Sequence, residues 1–208
     1  MNAHTQETQS AMTPDASLQA LKEGNQRFVN NESVERNLMT QVSQTSTGQY
    51  PFATILGCID SRVSAELVFD QGVGDIFSAR VAGNFVNEDI LGSMEFACKL
   101  AGTKLVLVLG HTACGAVKGA CDHARLGNLT ALINKIEPAV DAVAEPQDES
   151  QRNSGNIDFV NAVAKKNVEM TINDIREKSE VLAEMENAGE IKIIGGMYDI
   201  ATGVVDFY

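Results

Sequence analysis

Four short apolar runs constrain this 208-residue chain more than any other feature. They are FATILG (52–57), IFSARV (76–81), KLVLVLG (104–110) and IKIIGGMY (191–198), each bounded by glycine or polar residues. Runs this short suit strands buried on both faces, as in a parallel sheet. Helical patterns fill the intervals, at about 86–101, 128–144 and 157–187. The alternation predicts an α/β fold, with a mainly parallel β-sheet built by right-handed crossovers and flanked by helices. The tail VVDFY, following the turn signal Ala201-Thr202-Gly203, predicts an antiparallel edge strand. Residues 14–30 place Leu18, Leu21 and Phe28 at near-helical spacing behind Pro14, so an amphipathic helix is expected there. Residues 1–13 read as disordered and 33–50 as a polar extended connection. The expected organisation is one domain over 14–208, in which 14–47 form a helical arm and its connection.

In a parallel sheet the chemistry sits beyond the C-terminal ends of the strands. Two runs end there in the most reactive residues of the chain. One continues into Cys58-Ile59-Asp60-Ser61-Arg62, the other into Gly110-His111-Thr112-Ala113-Cys114-Gly115. A catalytic zinc site has three protein ligands and an open position, and two cysteines with one histidine are a known set. His111 and Cys114 make a close pair, and Cys58 is the distant third ligand on a neighbouring strand. If Cys114 opens a helix, the helix dipole favours its thiolate. A cysteine at a strand end can also be a small buried hydrophobe. The coincidence of the two strand ends favours the metal, and Cys98 and Cys121, which lack such partners, are read as structural. Asp60 can complete the metal shell in a closed state, or accept a hydrogen bond from a metal-bound water. Arg62 can hold that carboxylate through a paired, charge-assisted contact, keeping it ionised and oriented. The alternative for Asp60-Ser61-Arg62 is a turn with a surface ion pair.

The formal net charge of −12 argues against nucleic acid and anionic membrane as partners, since both select basic surfaces. No apolar run approaches the roughly 20 residues needed to span a bilayer. The polar N-terminus MNAHTQETQS has no apolar signal core, so a cytoplasmic location is expected; a periplasmic chain with its signal removed reads the same.

The two motifs together resemble the β-class carbonic anhydrases. CIDSRV (58–63) matches that family's C-x-D-S-R signature, and EFACKLAGTKLVLVLGHTACG (95–115) resembles the signature ending in G-H-x-x-C-G. The likeness extends through GQYPFATILGC (48–58), IFSARVAGN (76–84) and GGMYDIATGVVDF (195–207). Departures are Ile59 for a usual Ser or Ala, Val81 for a common Asn, and Cys98 for an aliphatic residue. The resemblance implies one zinc ion per subunit, held by Cys58, His111 and Cys114. It implies reversible hydration of CO2 to bicarbonate by a zinc-bound hydroxide oriented by Asp60 and Arg62. It also implies a homo-oligomer, a dimer or a tetramer of dimers, whose N-terminal helix embraces the partner and whose active site lies at the dimer interface. Gln49, Phe77, Ala82, Phe96 and Gly115 match substrate-lining positions, Gln49 reaching across that interface in the plant-like branch. The other branch has a tryptophan before the first cysteine, within an inhibitory bicarbonate site. Here Ile55 occupies that position and the chain contains no tryptophan. His123 lies on a loop, where an incidental role is favoured over proton shuttling. Two alternatives remain: a CS2 or COS hydrolase on the same scaffold, and a non-catalytic zinc or redox-sensing protein.

Overall fold

The computed structural model describes all 208 residues. Its strands are β1 (Ala53–Gly57), β2 (Ile76–Arg80), β3 (Leu105–His111), β4 (Lys192–Tyr198) and β5 (Val205–Phe207). They form one five-stranded sheet in the order β2-β1-β3-β4-β5. The first four are mutually parallel, and β5 runs antiparallel to β4 at one edge. β2 is the opposite edge. Each apolar run is a strand: β1 and β3, in the middle of the sheet, are buried on both faces, whereas the edge strand β2 is only partly buried.

The central strand β3 is buried at every position. Leu105, Leu107 and Leu109 pack with Leu21, Phe52, Ile55 and Phe69 on one face. Val106 and Val108 point the other way, toward Val168, Ile172 and Ile175. The helices are α1 (Gln6–Ser10), α2 (Pro14–Val29), α3 (Leu38–Thr45), α4 (Ala65–Val68), α5 (Glu88–Glu95), α6 (Gly115–Cys121), α7 (Gly127–Ile133), α8 (Glu137–Ala142), α9 (Ile157–Lys178) and α10 (Glu180–Asn187). No helix is long and apolar enough to cross a membrane.

Several expectations are corrected. Residues 1–13 are not disordered: Thr5 caps α1 through a reciprocal capping box. Buried Gln9 donates from Nε2 to the carbonyls of Pro51 (2.6 Å) and Ala101 (2.8 Å). That order depends on partners distant in sequence, so no local apolar period announces it. The connection 33–50 contains α3, started by the Asn37 side chain accepting from the Thr40 amide at 3.0 Å. The helix α2 starts at Pro14 as expected and packs on its own chain's core. Leu21 is fully buried, and Leu18 and Phe28 pack on the cluster that contains Val68 and Phe69.

Three long helical patterns are also interrupted. The stretch 86–101 is α5 followed by a π turn at Phe96–Leu100, which buries Ala97 and Cys98. The stretch 128–144 breaks ahead of Pro138, which lacks an amide hydrogen and sits in the first turn of α8. Ser179 breaks 157–187: its backbone is extended, and its hydroxyl accepts from the Leu182 amide at 3.2 Å to start α10. At the β5 edge, Asn25 takes the place of a further strand. It accepts from the Val205 amide (2.9 Å) and donates to the carbonyls of Gly203 (2.8 Å) and Val68 (3.1 Å).

Candidate active site

The sheet order explains how residues far apart in sequence converge. β1 lies between β2 and β3, so Cys58, just past β1, sits between the ends of both neighbours. His111 is the last residue of β3. Ala113 then takes a left-handed turn (φ 54°), and Cys114 becomes the N-cap of α6. The ligand atoms of Cys58, His111 and Cys114 all lie within 4.8 Å of one another. The two sulfurs are 3.9 Å apart. All three side chains are buried.

The histidine tests whether a metal fits. His111 Nδ1 lies 2.9 Å from the Thr112 carbonyl, which can only accept, so Nδ1 carries the proton. Nε2 is left as a lone-pair donor. It is buried and has no hydrogen-bond partner. A buried orphan nitrogen is costly unless something binds it. Two thiolates and one imidazole within reach of a common point are a donor set suited to zinc.

The two cysteines share one ionisation between them. Cys58 is pushed down, first by a hydrogen bond from the Cys114 thiol, then by His111 and by the Gly83 and Asp60 backbone, against the opposing effect of burial. The Gly83 amide lies 3.4 Å from Cys58 Sγ. Cys114 is correspondingly pushed up by its contact with Cys58, by burial and by the Cys58 charge. A bound cation relieves this repulsion, because a coordinating thiol is deprotonated outright.

Asp60 is held by a two-pronged fork from Arg62. Nε donates to Oδ1 at 2.9 Å and Nη2 to Oδ2 at 2.7 Å, while the Arg62 amide adds a third bond to Oδ1 at 3.0 Å. These hydrogen bonds hold the carboxyl well below the usual carboxylate range. Asp60 Oδ2 stands 4.0 Å from the free His111 Nε2. Its carboxylate is thus turned toward Arg62 at the edge of the cysteine-histidine cluster. Arg80 has a part the motif reading overlooked. It donates from Nε to the Cys58 carbonyl (2.8 Å) and from Nη2 to the Asp60 carbonyl (2.6 Å), fastening the loop that carries both. Its position at the end of β2, beside β1, is the signal that would have found it.

The expected substrate-lining residues fall into two groups. Ala82 lies between Val81, whose amide donates to the Gly57 carbonyl, and Gly83, which contacts Cys58. Gly115 follows Cys114 and is exposed, with open space where a side chain would be. Gln49, Phe77 and Phe96 are elsewhere. Gln49 is exposed and precedes β1, and Phe77 pairs with Thr54 near the start of that strand. Phe77 and Phe96 pack edge to face at 6.2 Å and line a cavity of about 660 Å³ with Thr54 and Ile90. Cys58 is four positions along the chain from Thr54, roughly 13 Å at about 3.3 Å per residue.

The remaining singled-out residues lie apart from the chemistry. His123 lies in the turn just past Asp122, the C-cap of α6, where it meets Glu137 at 2.9 Å on the surface. Cys98 is pushed up to about 11 by burial, partly offset by a hydrogen bond from Thr103, and Cys121 is pushed up to about 11 by burial.

The family model described as Carbonic anhydrase matches residues 53–205. The chain is 35% identical over 196 residues to Carbonic anhydrase 2 of Mycobacterium tuberculosis, covering 91% of this chain and 90% of that protein. It is 34% identical over 200 residues to a carbonic anhydrase of Mycolicibacterium smegmatis, with 93% and 92% covered. Among solved structures, the β-carbonic anhydrase CcaA matches with a TM-score of 0.71 at 25% identity, over 92% of this chain and 94% of that one. A Coccomyxa β-carbonic anhydrase shares the fold, with a TM-score of 0.71 at 24% identity over 91% and 85%. With its sheet, its strand-end cluster and these relatives in agreement, the chain belongs to the β-carbonic anhydrase family.

Proposed function

We propose that this enzyme catalyses the reversible hydration of CO2 to bicarbonate and a proton at a zinc ion held by Cys58, His111 and Cys114. The observation that carries the reading is the orphaned, buried His111 Nε2 between two cysteine sulfurs, beside a carboxylate locked in its ionised form. Bound zinc supplies a Lewis acid that can bring the pKa of water from 15.7 to about 7. Asp60 orients the reacting water by accepting its hydrogen bond. With its pKa so far depressed, Asp60 is a poor proton acceptor, so its role is alignment, and the released proton leaves through solvent buffer. Arg62 keeps the carboxylate ionised and fixed in direction.

The substrate pocket is completed by a second copy of the chain. Ala82 and Gly115 flank the metal residues, whereas Gln49, Phe77 and Phe96 sit toward the opposite end of β1 and β2. β2 is a free edge strand. A two-fold contact along it runs the two edges in opposite directions and carries one copy's aromatic patch toward the other copy's metal. The half-exposed Phe96 and the exposed Ile59 support such a contact. Four cysteines without disulfides fit a cytoplasmic, reducing location.

Stopped-flow CO2 hydration by the zinc-loaded protein tests the reading, with CS2 and COS as parallel substrates. Hydration of CO2 dominant over the other two is expected; hydrolysis of CS2 or COS without CO2 hydration overturns it. Ile55 is 1% exposed within the core, leaving no indole at that position to shape a second bicarbonate site. Bicarbonate is therefore expected to inhibit without cooperativity, and sigmoidal inhibition in the same assay contradicts this.

A further inference from the structure

Both halves of the metal site are fastened to a helix that supplies no ligand. Asn167, on α9, is 3% exposed, and its Nδ2 donates to the Gly83 carbonyl at 2.7 Å. The Gly83 amide faces Cys58 Sγ at 3.4 Å. Gly83 has a φ of 81°, and a Cβ there would stand 2.4 Å from Ile136 Cδ1. The turn is therefore packed on one side and tied by Asn167 on the other. Six positions earlier on α9, Asn161 Oδ1 accepts the amide hydrogen of Ala113 at 2.9 Å. Ala113 directly precedes Cys114 and holds a left-handed φ of 54°, which an alanine seldom adopts unaided. Its neighbour Thr112 is anchored separately: its amide donates to the Tyr198 carbonyl, and its hydroxyl accepts from the Ile200 amide. No other side chain bonds the Ala113 amide.

We propose that Asn167 and Asn161 are positioning residues for the metal, Asn167 as a donor acting through Gly83 on Cys58, and Asn161 as an acceptor acting through Ala113 on Cys114. The proposal rests on the metal-site reading above. The two amides act with opposite polarity, so one substitution separates them. Asn161→Asp keeps an acceptor oxygen for the Ala113 amide, near the N-terminal end of α9, where a negative charge is favoured. Asn167→Asp sets a carboxylate oxygen against the Gly83 carbonyl and removes the donor. A role in helix packing alone would not divide the sites in this way, since Asn and Asp have nearly the same volume.

The experiment follows zinc transfer from the loaded protein to an excess colorimetric chelator, at a temperature where circular dichroism shows every variant folded. Asn161→Ala, Asn167→Ala and Asn167→Asp are expected to release zinc about 10–100-fold faster than wild type, and Asn161→Asp within about 3-fold of it. Ile175→Ala, a fully buried change at the far end of α9, controls for general loosening of the helix and is expected to release zinc as wild type does. Cys58→Ser tests the site itself and is expected to purify without zinc. If Cys58→Ser keeps its zinc, the metal-site reading fails. If Cys58→Ser lacks zinc while Asn161→Ala and Asn167→Ala release it at the wild-type rate, the positioning proposal is wrong. Asn161→Asp releasing as fast as Asn161→Ala also overturns it. If Asn167→Asp does not fold, Asn167→Ala and the Asn161 pair still decide.

Discussion

Asp60→Asn is expected to bind zinc with the wild-type stoichiometry and to lose CO2 hydration by about 10²–10³-fold, the scale seen when a single orienting polar group is removed. The carboxylate receives three hydrogen bonds from Arg62 and has none to donate. An amide of the same shape must either point its NH2 at the Arg62 guanidinium or turn it into the site. In the first case a donor opposes a donor. In the second a donor faces the reacting water, which needs an acceptor, and the lone pair aimed at CO2 is misdirected. Cys58, His111 and Cys114 are untouched, so metal content separates this outcome from collapse of the site. The depressed pKa also fixes the sign of the pH dependence. Asp60 is ionised at every pH above the ordinary carboxylate range, so its titration contributes no limb to the wild-type profile near neutrality. Stopped-flow hydration with parallel metal analysis checks this, and full activity of Asp60→Asn across pH would refute the orienting role.

Asp70→Ala is expected to lower stability by about 3–5 kcal/mol, the cost of leaving buried charged partners unpaired. The Asp70 side chain is 3% exposed. Its Oδ2 accepts from Arg27 Nε at 2.6 Å and from the Val34 amide at 3.2 Å, and its Oδ1 meets Arg36, whose side chain is 7% exposed. These contacts tie α2 and the segment after it to the end of α4. Removing the carboxylate leaves the buried Arg36 guanidinium without a counter-charge, with only the Val34 carbonyl and the backbone carbonyl of residue 70 to accept from it. At about 2–4 °C per kcal/mol for a chain of this length, the melting temperature should fall by roughly 6–20 °C. Burial opposes ionisation of Asp70, but Arg36, Arg27 and the Val34 amide outweigh it and hold the carboxyl below its ordinary value. The contribution is therefore complete above the unfolded value of about 3.9 and is lost as pH falls through the folded value beneath it. The gap between wild type and Asp70→Ala should narrow on acidification below about pH 4. A thermal melt series from pH 3 to pH 8 measures this, and equal melting temperatures at pH 7 would contradict it.

What the sequence disclosed follows from which forces are local. The central strands were legible because a run such as KLVLVLG is buried on both faces in the middle of a sheet, and the edge strand β2 was legible from its short run bounded by polar residues. The metal residues were legible because Cys58 and His111 stand at the C-terminal ends of two of those runs. The order of residues 1–13 was not, because Gln9 is held by carbonyls at Pro51 and Ala101 rather than by its neighbours. The breaks at Pro138 and Ser179 carried local signals, a missing donor and an N-capping hydroxyl, that a strong apolar period overrode. The division of Gln49, Phe77 and Phe96 from Ala82 and Gly115 needed the strand direction and register. Asn161 and Asn167 were invisible because their partners, Ala113 and Gly83, lie 48 and 84 residues away.

Zinc K-edge X-ray absorption on the purified, zinc-loaded protein tests the central claim most directly. The account predicts one zinc per chain with two sulfur neighbours at about 2.3 Å and one imidazole nitrogen at about 2.0–2.1 Å, the fourth neighbour being a light atom. Absence of the metal from Cys58→Ser and Cys114→Ser would accord with it. A wild-type shell made only of nitrogen and oxygen, or a wild-type protein that hydrates CO2 without any bound metal, would contradict it.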